Sequence, residues 1–356
     1  MQRFQIAEKD FGTFGTDPVK RYDLLDTETG TEIRVTPFGA TLVGVRTPDI
    51  DKRLDEVVLG HEDVSGYVDG KSYQGASVGR WANRIGGAVI TLNGQTYRLM
   101  ANEGPNALHG GAGGGFSKKL WVVDHDIIIA NDKFACIRMS HTSPDGDNGF
   151  PGKVDASVSY TLDASGMGIC HDAETDRCTV YNPTNHGYWN LRGADSGFDI
   201  NGHVVRIDAG KFLEVDGNLI PTGRKINVEE SEQAAGVSLD FRTPRKVGGS
   251  KIDHCYVFHN DGGLHEAYVF CPETGRLLKI RTPDMGMQFY TGNFLGKDGR
   301  EDTEGFFNRQ GLCLEDQRLP DAMNKPDELG FGPYMLVRGL PYHKLTRYEF
   351  SIARSL

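Results

Sequence analysis

Val154-Asp155-Ala156-Ser157-Val158-Ser159-Tyr160-Thr161-Leu162 carries an apolar or small side chain at every second position, with polar or hydroxyl residues between. That period of two marks a strand with one face against a core and the other toward solvent. The same signal recurs on both sides of it. Val89-Ile90-Thr91-Leu92, then Asn93-Gly94, then Gln95 to Leu99 reads as a hairpin whose Asn-Gly pair suits a type I′ turn. Tyr268 to Phe270 and Leu277 to Ile280 flank Pro272-Glu273-Thr274-Gly275, a second hairpin signal, and Tyr348 to Ile352 announces a strand near the end of the chain. Helical periodicity is scarce: Glu62 to Tyr67 and Glu229 to Ala235 offer a turn or two each. Forty-six glycines break the rest into short segments. The expected fold is therefore all-β, a large antiparallel sandwich with few short helices. No linker or shift of composition divides residues 1–356, so a single domain is expected.

Composition excludes more than it identifies. The net charge is −10 over 356 residues, which argues against nucleic acid or an anionic membrane surface as partner. Met1 to Asp10 is polar and lacks a charged-then-apolar leader pattern, and no apolar run approaches spanning length, so a cytoplasmic protein is expected. The six cysteines form no C-x-x-C pair and several sit in apolar runs such as Phe134-Ala135-Cys136-Ile137. Buried, reduced thiols are expected. The eleven histidines show no H-x-x-x-H or H-E-x-x-H spacing, so no metal site is expected, and there is no G-x-S-x-G elbow or phosphate-cradling P-loop.

Five polar clusters interrupt the strands. Gly79 to Gly87 holds two arginines, whose planar forks suit hydroxyls or carboxylates but serve structural ion pairs equally well. Asn102 to Gly115 places His109 among glycines, which permit close backbone approach to a ligand; a hydrogen-bonded structural histidine fits the segment too. Tyr181 to Leu191 mixes amides and His186 with aromatic rings. That mixture suits a sugar, whose C–H face packs on a ring while its hydroxyls bond to polar groups, and it also fits a buried strand with a satisfied histidine. In Lys251 to Tyr256, Asp253 and His254 point to opposite faces if the strand has begun, so one of them enters any given pocket. In Leu312 to Asn324, Glu315 ends an apolar run. A carboxylate is expensive there unless paired or used, which makes Glu315 the first candidate for a functional acid.

In this order the segments resemble the aldose 1-epimerases, also called galactose mutarotases. Gly79 to Ile85 is similar to that family's G-R-x-A-N-R-I and Asn106 to Gly111 to its N-x-L-H-G-G. Thr184 to Leu191 resembles T-N-H-x-Y-[FW]-N-L, and Leu314 to Asn324 resembles L-E-x-Q-x-x-P-D-A-x-N. Pro144 to Gly152 and Gln288 to Phe294 add P-D-G-x-x-G-[FY]-P-G and Q-F-Y-[TS]-G-N-F, and the likeness runs from about Thr31 to Phe350.

The resemblance implies the galactose mutarotase-like supersandwich with a carbohydrate cleft, and cofactor-free exchange of α and β anomers of a free monosaccharide. It implies Glu315 as general base, His186 as general acid, and Arg84, His109, Asp253, Asn83 and Gln288 as substrate-binding residues. A Glu carboxylate and a His imidazolium would perform the two proton transfers near neutral pH. Three positions depart from the pattern. Asp316 stands where Thr is common, Gly187 where Ser is common, and Arg338-Gly339-Leu340-Pro341 replaces the usual P-G-E. The competing expectations are a hexose-phosphate 1-epimerase, which needs a cationic cluster for which Arg80 and Arg318 are available, and a non-catalytic sugar-binding module.

Overall fold

Val154–Asp163 forms the expected strand, with Val154, Ala156, Val158, Tyr160 and Leu162 all facing the core. The computed structural model describes residues 2–113, 115–259, 262–296 and 305–356. Around this strand a nine-stranded antiparallel sheet is built. Its first half is a meander of Val122–Ala130, Phe134–Ser143, Val154–Asp163 and Gly166–Thr175. The C-terminal strand Tyr342–Ile352 then pairs at the centre, and Arg276–Thr282, His265–Phe270, Val204–Ile207 and Arg245–Lys246 complete the order. A five-stranded meander, Phe4–Phe14 to Leu54–Glu56, packs beside it. A third sheet, ordered Pro221–Asn227, Lys211–Val215, Asp253–Val257, Gly286–Tyr290 and Cys313–Gln317, carries the polar residues singled out above.

Both expected hairpins form, Val89–Leu92 with Gln95–Arg98 and His265–Phe270 with Arg276–Thr282. Asn93 and Gly94 both take positive φ (51° and 79°), as a type I′ turn requires. Among the described residues the α-helices are two short ones, Val64–Asp69 and Ser231–Ala235, close to the two predicted turns. No helix among these residues is long and apolar enough to cross a membrane.

One apolar cluster runs through all three sheets, joining Phe4 and Tyr22 to Tyr160 and Tyr348 and on to Phe212, Tyr256 and Phe289. Trp189 stacks on Tyr348 at 5.6 Å within it. Tyr160 donates its hydroxyl to the Ala40 carbonyl (2.7 Å) and accepts from Asn185 Nδ2 (3.2 Å), so the core itself fixes the residue before His186.

Two expectations change. All six cysteines are free, but only Cys255, Cys271 and Cys313 are buried. In Phe134–Ser143 the alternation turns Ala135 and Ile137 inward and Cys136 outward, which a run of four apolar residues conceals. Gly110, Gly111 and Gly115, near His109, approach other backbone rather than open space. A Cβ on Gly110 would lie 2.0 Å from the Gly79 carbonyl oxygen, and φ there is +96°. The Arg338–Pro341 turn is largely exposed, as a surface turn should be.

Candidate active site

Three neighbouring strands present one face to a cleft. In the registers Asp253↔Tyr290 and Gln288↔Glu315, residues two apart share a side, so Asp253, Gln288, Tyr290, Cys313 and Glu315 point the same way. His254 faces the opposite side and packs edge-on to Phe212 at 5.8 Å, leaving Asp253 as the pocket residue of that pair. The opposing wall comes from short pairings. Arg84–Ile85 pairs with Ala107–Leu108, and Thr184–Asn185 pairs with Ser77–Val78, which delivers His186 one residue beyond the ladder.

Asn83 and His109 both adopt left-handed backbone (φ 64° and 48°) and lock each other. The His109 N–H donates to the Asn83 carbonyl, and the Asn83 N–H donates to His109 Nδ1, each at 3.2 Å. With Nδ1 occupied as an acceptor, the neutral His109 ring carries its proton on Nε2. Asn83 Oδ1 in turn accepts from the Arg84 N–H at 2.8 Å.

The cleft has a volume of about 330 Å³ and brings together all seven residues named from the sequence: Glu315, His186, Arg84, His109, Asp253, Asn83 and Gln288. His186 Nε2 lies 3.7 Å from Glu315 Oε1, and both side chains are almost wholly buried. Gln288 Nε2 donates to Asp253 Oδ1 at 2.5 Å. Arg84 grips Glu103 with both limbs of its guanidinium, at 2.6 and 2.7 Å. His186 sits among rings, with Tyr188 at 5.0 Å, His109 at 5.1 Å and Tyr73 at 5.9 Å.

Burial governs the charges. Desolvation pulls the His186 imidazole down to about 4 and holds His109 well below its usual value, with His186 and Arg84 adding to the latter. Desolvation pushes the Glu315 carboxyl well above the ordinary carboxylate range. Asp253 reinforces that shift and Arg84 opposes it. Asp253 is itself raised by burial against the pull of Arg84 and of the Gln288 amide. Glu315 Oε2 has no hydrogen-bond partner among the described residues. Burial thus disfavours the imidazolium form of His186, because a buried cation loses the water that would solvate it.

Asp316 settles one departure from the family pattern. It points away from the cleft, accepting from Thr282 Oγ1 (2.9 Å) and Thr346 Oγ1 (2.6 Å) and pairing with Lys344 Nζ (3.1 Å). Burial opposes its charge, but Lys344 and Thr346 outweigh that and hold it below the usual range. Its charge raises Glu315 only as the last and smallest contribution. Gly187 stands where a Cβ would come within 3.2 Å of Asn185 Oδ1 and Trp189 Nε1.

Sequence reasoning missed Tyr73, Glu103, Tyr188, Tyr290 and Phe294 on the cleft wall, and Cys313, whose Sγ lies 3.7 Å from His186 Nδ1. Tyr188, Tyr290 and Cys313 are each two residues from a named residue, a signal that alternation makes available. The dispersed histidines also converge in space. His109, His186 and Glu315 place one ligand atom each within 4.8 Å of one another, a cluster that linear spacing could not reveal.

The described geometry has close counterparts. A family model described as Aldose 1-epimerase matches residues 23–348. A galactose mutarotase from Bos taurus is 36% identical over 356 residues, covering 95% of this chain and 96% of its own length. An aldose 1-epimerase from Escherichia coli is also 36% identical, covering 90% of this chain and 92% of its own. Among solved structures, an aldose epimerase homologue from C. elegans superposes with a TM-score of 0.80 at 26% identity, over 92% of this chain and 98% of its own. A galactose 1-epimerase from Lactobacillus acidophilus superposes with a TM-score of 0.82, over 98% and 99%; at 21% identity it speaks to the fold alone.

Proposed function

The chain belongs to the aldose 1-epimerase family, and from that premise we propose that Glu315 and His186 exchange protons with the two oxygens on C1 of an aldose. The reaction is interconversion of the α and β anomers of free aldoses. Ring opening removes the proton of the C1 hydroxyl, breaks the C1–O5 bond and protonates O5, leaving an open-chain aldehyde. After rotation about C1–C2, the C5 hydroxyl adds to the other face of the carbonyl and the two proton transfers run backward. No atom or electron is gained or lost over the cycle, so a group that takes a proton and a group that gives one suffice.

The observation that supports this assignment is the His186 Nε2 to Glu315 Oε1 separation of 3.7 Å at the buried end of the cleft. It is too long for a direct hydrogen bond and short enough for both groups to reach adjacent oxygens of one sugar. Burial lowers His186 and raises Glu315, so one proton shared between them is the arrangement with the least buried charge. Passing that proton from Glu315 to His186 yields the carboxylate base and imidazolium acid that ring opening needs. Sugar hydroxyls that donate to the carboxylate favour its ionised form. Because the pair reverses roles on reclosure, the proton returns at the end of each turnover.

Arg84, His109, Asp253, Asn83 and Gln288 hold the rest of the sugar while C1 turns, the positioning that converts loose encounters into a single reactive geometry. Arg84 and Asp253 give the pocket donors and acceptors for hydroxyls, and Tyr188 and Tyr290 offer faces for C–H groups. Neither arginine available to the phosphate-sugar reading stands in the cleft, whose described cationic residues are Lys71 and Arg84. Arg80 donates to the Ser143 hydroxyl and the carbonyls of Ser143, Pro144, Pro151 and Gly152, and neither Arg80 nor Arg318 lines the cleft. Polarimetry of α-galactose and α-glucose tests the assignment. Glu315→Gln is expected to lower kcat by roughly 10²–10⁴ with the fold intact, and near-wild-type rates in that variant would remove Glu315 from the role.

A further inference from the structure

The outward face of the nine-stranded sheet carries a second convergence of ligand groups, unrelated to the cleft. In Gly166–Thr175, Met167, Ile169, His171 and Ala173 turn into the core, so Cys170 and Asp172 face out together. His343 stands directly opposite Asp172 in the neighbouring strand Tyr342–Ile352. The ladder therefore fixes three different donors (a thiol, a carboxylate and an imidazole) at one spot, all within 4.8 Å.

Their spacing is informative. Cys170 Sγ lies 3.5 Å from Asp172 Oδ2 and 3.5 Å from His343 Nδ1. Zinc bonds of about 2.3 Å to sulfur, about 2.0 Å to nitrogen and about 2.1 Å to oxygen, opened at the tetrahedral angle, separate sulfur from either partner by about 3.5–3.6 Å. Two of the three edges of such a site are thus already in place. The other carboxylate oxygen, Asp172 Oδ1, is held by His343 Nδ1 at 2.7 Å, so the nitrogen–oxygen edge forms when that hydrogen bond opens.

We propose that Cys170, Asp172 and His343 form a three-ligand site for a zinc ion, with the fourth position open to solvent. Binding releases the thiol proton to water and replaces the His343–Asp172 hydrogen bond by two metal bonds, with the imidazole proton on Nε2. The sulfur ligand selects zinc or a similar borderline ion over magnesium or calcium, which take oxygen donors. The strong exposure of the His343 side chain, 67%, leaves the approach open. Burial and Asp172 push the Cys170 thiol up to about 12 against the charge of Arg138, so the ion itself must displace the thiol proton. The ion would clasp two adjacent strands and stabilise the folded state by mass action.

The test uses the full chain stripped with chelator, titrated with Zn²⁺ by calorimetry and with Co²⁺ by absorbance near neutral pH. One ion per chain, a thiolate-to-cobalt charge-transfer band and a Tm raised by zinc are expected. Cys170→Ser and His343→Asn are expected to lose the band and at least about tenfold in affinity while keeping mutarotase activity, a loss no smaller than that of an outer-shell partner. Cys313→Ser, which touches the thiol beside His186 instead, is expected to keep the band. The proposal fails if the stripped chain binds no stoichiometric ion, or if the band survives Cys170→Ser. Loss of the band in Cys313→Ser would also overturn it, by moving the ion to the cleft.

Discussion

Burial disfavours the charged form of both Glu315 and His186, and the activity profile should carry that signature. Burial draws His186 down to about 4, so its ring takes up a proton only below that pH. There the pair is doubly protonated and lacks a base. Burial and Asp253 push Glu315 upward, so the pair loses its last proton only well above the usual carboxylate range, where it lacks an acid. The expected kcat/KM profile has an acid limb near pH 4 and an alkaline limb displaced above the usual carboxylate range, because this ratio reports the free enzyme. His186→Asn should lower kcat by roughly 10²–10⁴ and remove the acid limb; an unchanged profile in that variant would contradict the assignment. Asp253→Asn isolates a second effect. It takes away a charge that raises Glu315, so the alkaline limb should move to lower pH while KM rises through the lost hydroxyl acceptor. An alkaline limb that stays put would show that the two carboxyls do not sense each other.

The strand Cys313–Gln317 does two jobs because successive side chains leave it on opposite faces. Cys313 and Glu315 look into the cleft, while Asp316 is tied to Lys344, which also pairs with Asp284 at 2.8 Å and donates to the Pro183 carbonyl at 2.7 Å. Removing the cation at the centre should leave two buried carboxylates without the counter-charge they share. Lys344→Met is therefore expected to cost ~3–5 kcal/mol in urea unfolding, with part of the loss recovered by adding Asp316→Asn; a change below about 1 kcal/mol would mean that water solvates the site. This level of structure is also where the sequence was most readable. Alternation around Val154 and the Asn93-Gly94 turn betrayed strands and a hairpin, and a carboxylate ending an apolar run betrayed Glu315. Residue type alone did not tell Arg80 from Arg84, and only the resemblance singled out Arg84; three residues separate one that braces the Ser143–Gly152 loop from one that faces the cleft. Tyr73 and Glu103 gave no signal, because they reach the cleft from loops whose path is decided by tertiary contacts; Tyr73 even takes a positive φ of 58°. The Cys170–Asp172–His343 group was invisible for a related reason, as it depends on which strand lies beside which.

At the scale of the whole chain the question is whether three sheets unfold as one. Length favours independence, since cooperative two-state unfolding is most dependable below about 150 residues. Continuity of the core favours the opposite. The main apolar cluster takes residues from all three large sheets, and the cleft has walls from the third sheet and from the short pairings beside it, so none of the three keeps a buried face if its neighbours melt. We propose a single cooperative unit over residues 1–356. The three tryptophans make it testable, because all are buried and they sample two clusters: Trp121 and Trp189 lie in the main core, and Trp81 packs with Ile90 and Leu92 of the Asn93-Gly94 hairpin. Trp81→Phe leaves fluorescence to the main core alone. Its thermal transition, that of the unaltered chain, and far-ultraviolet dichroism should coincide, with calorimetric and van't Hoff enthalpies equal. Galactose at ten times its Kd should move all three together, by about 1.4 kcal/mol of added stability. A hairpin signal that melts early, or a sugar shift confined to one probe, would divide the molecule into separately folding parts and make the cleft a junction between them.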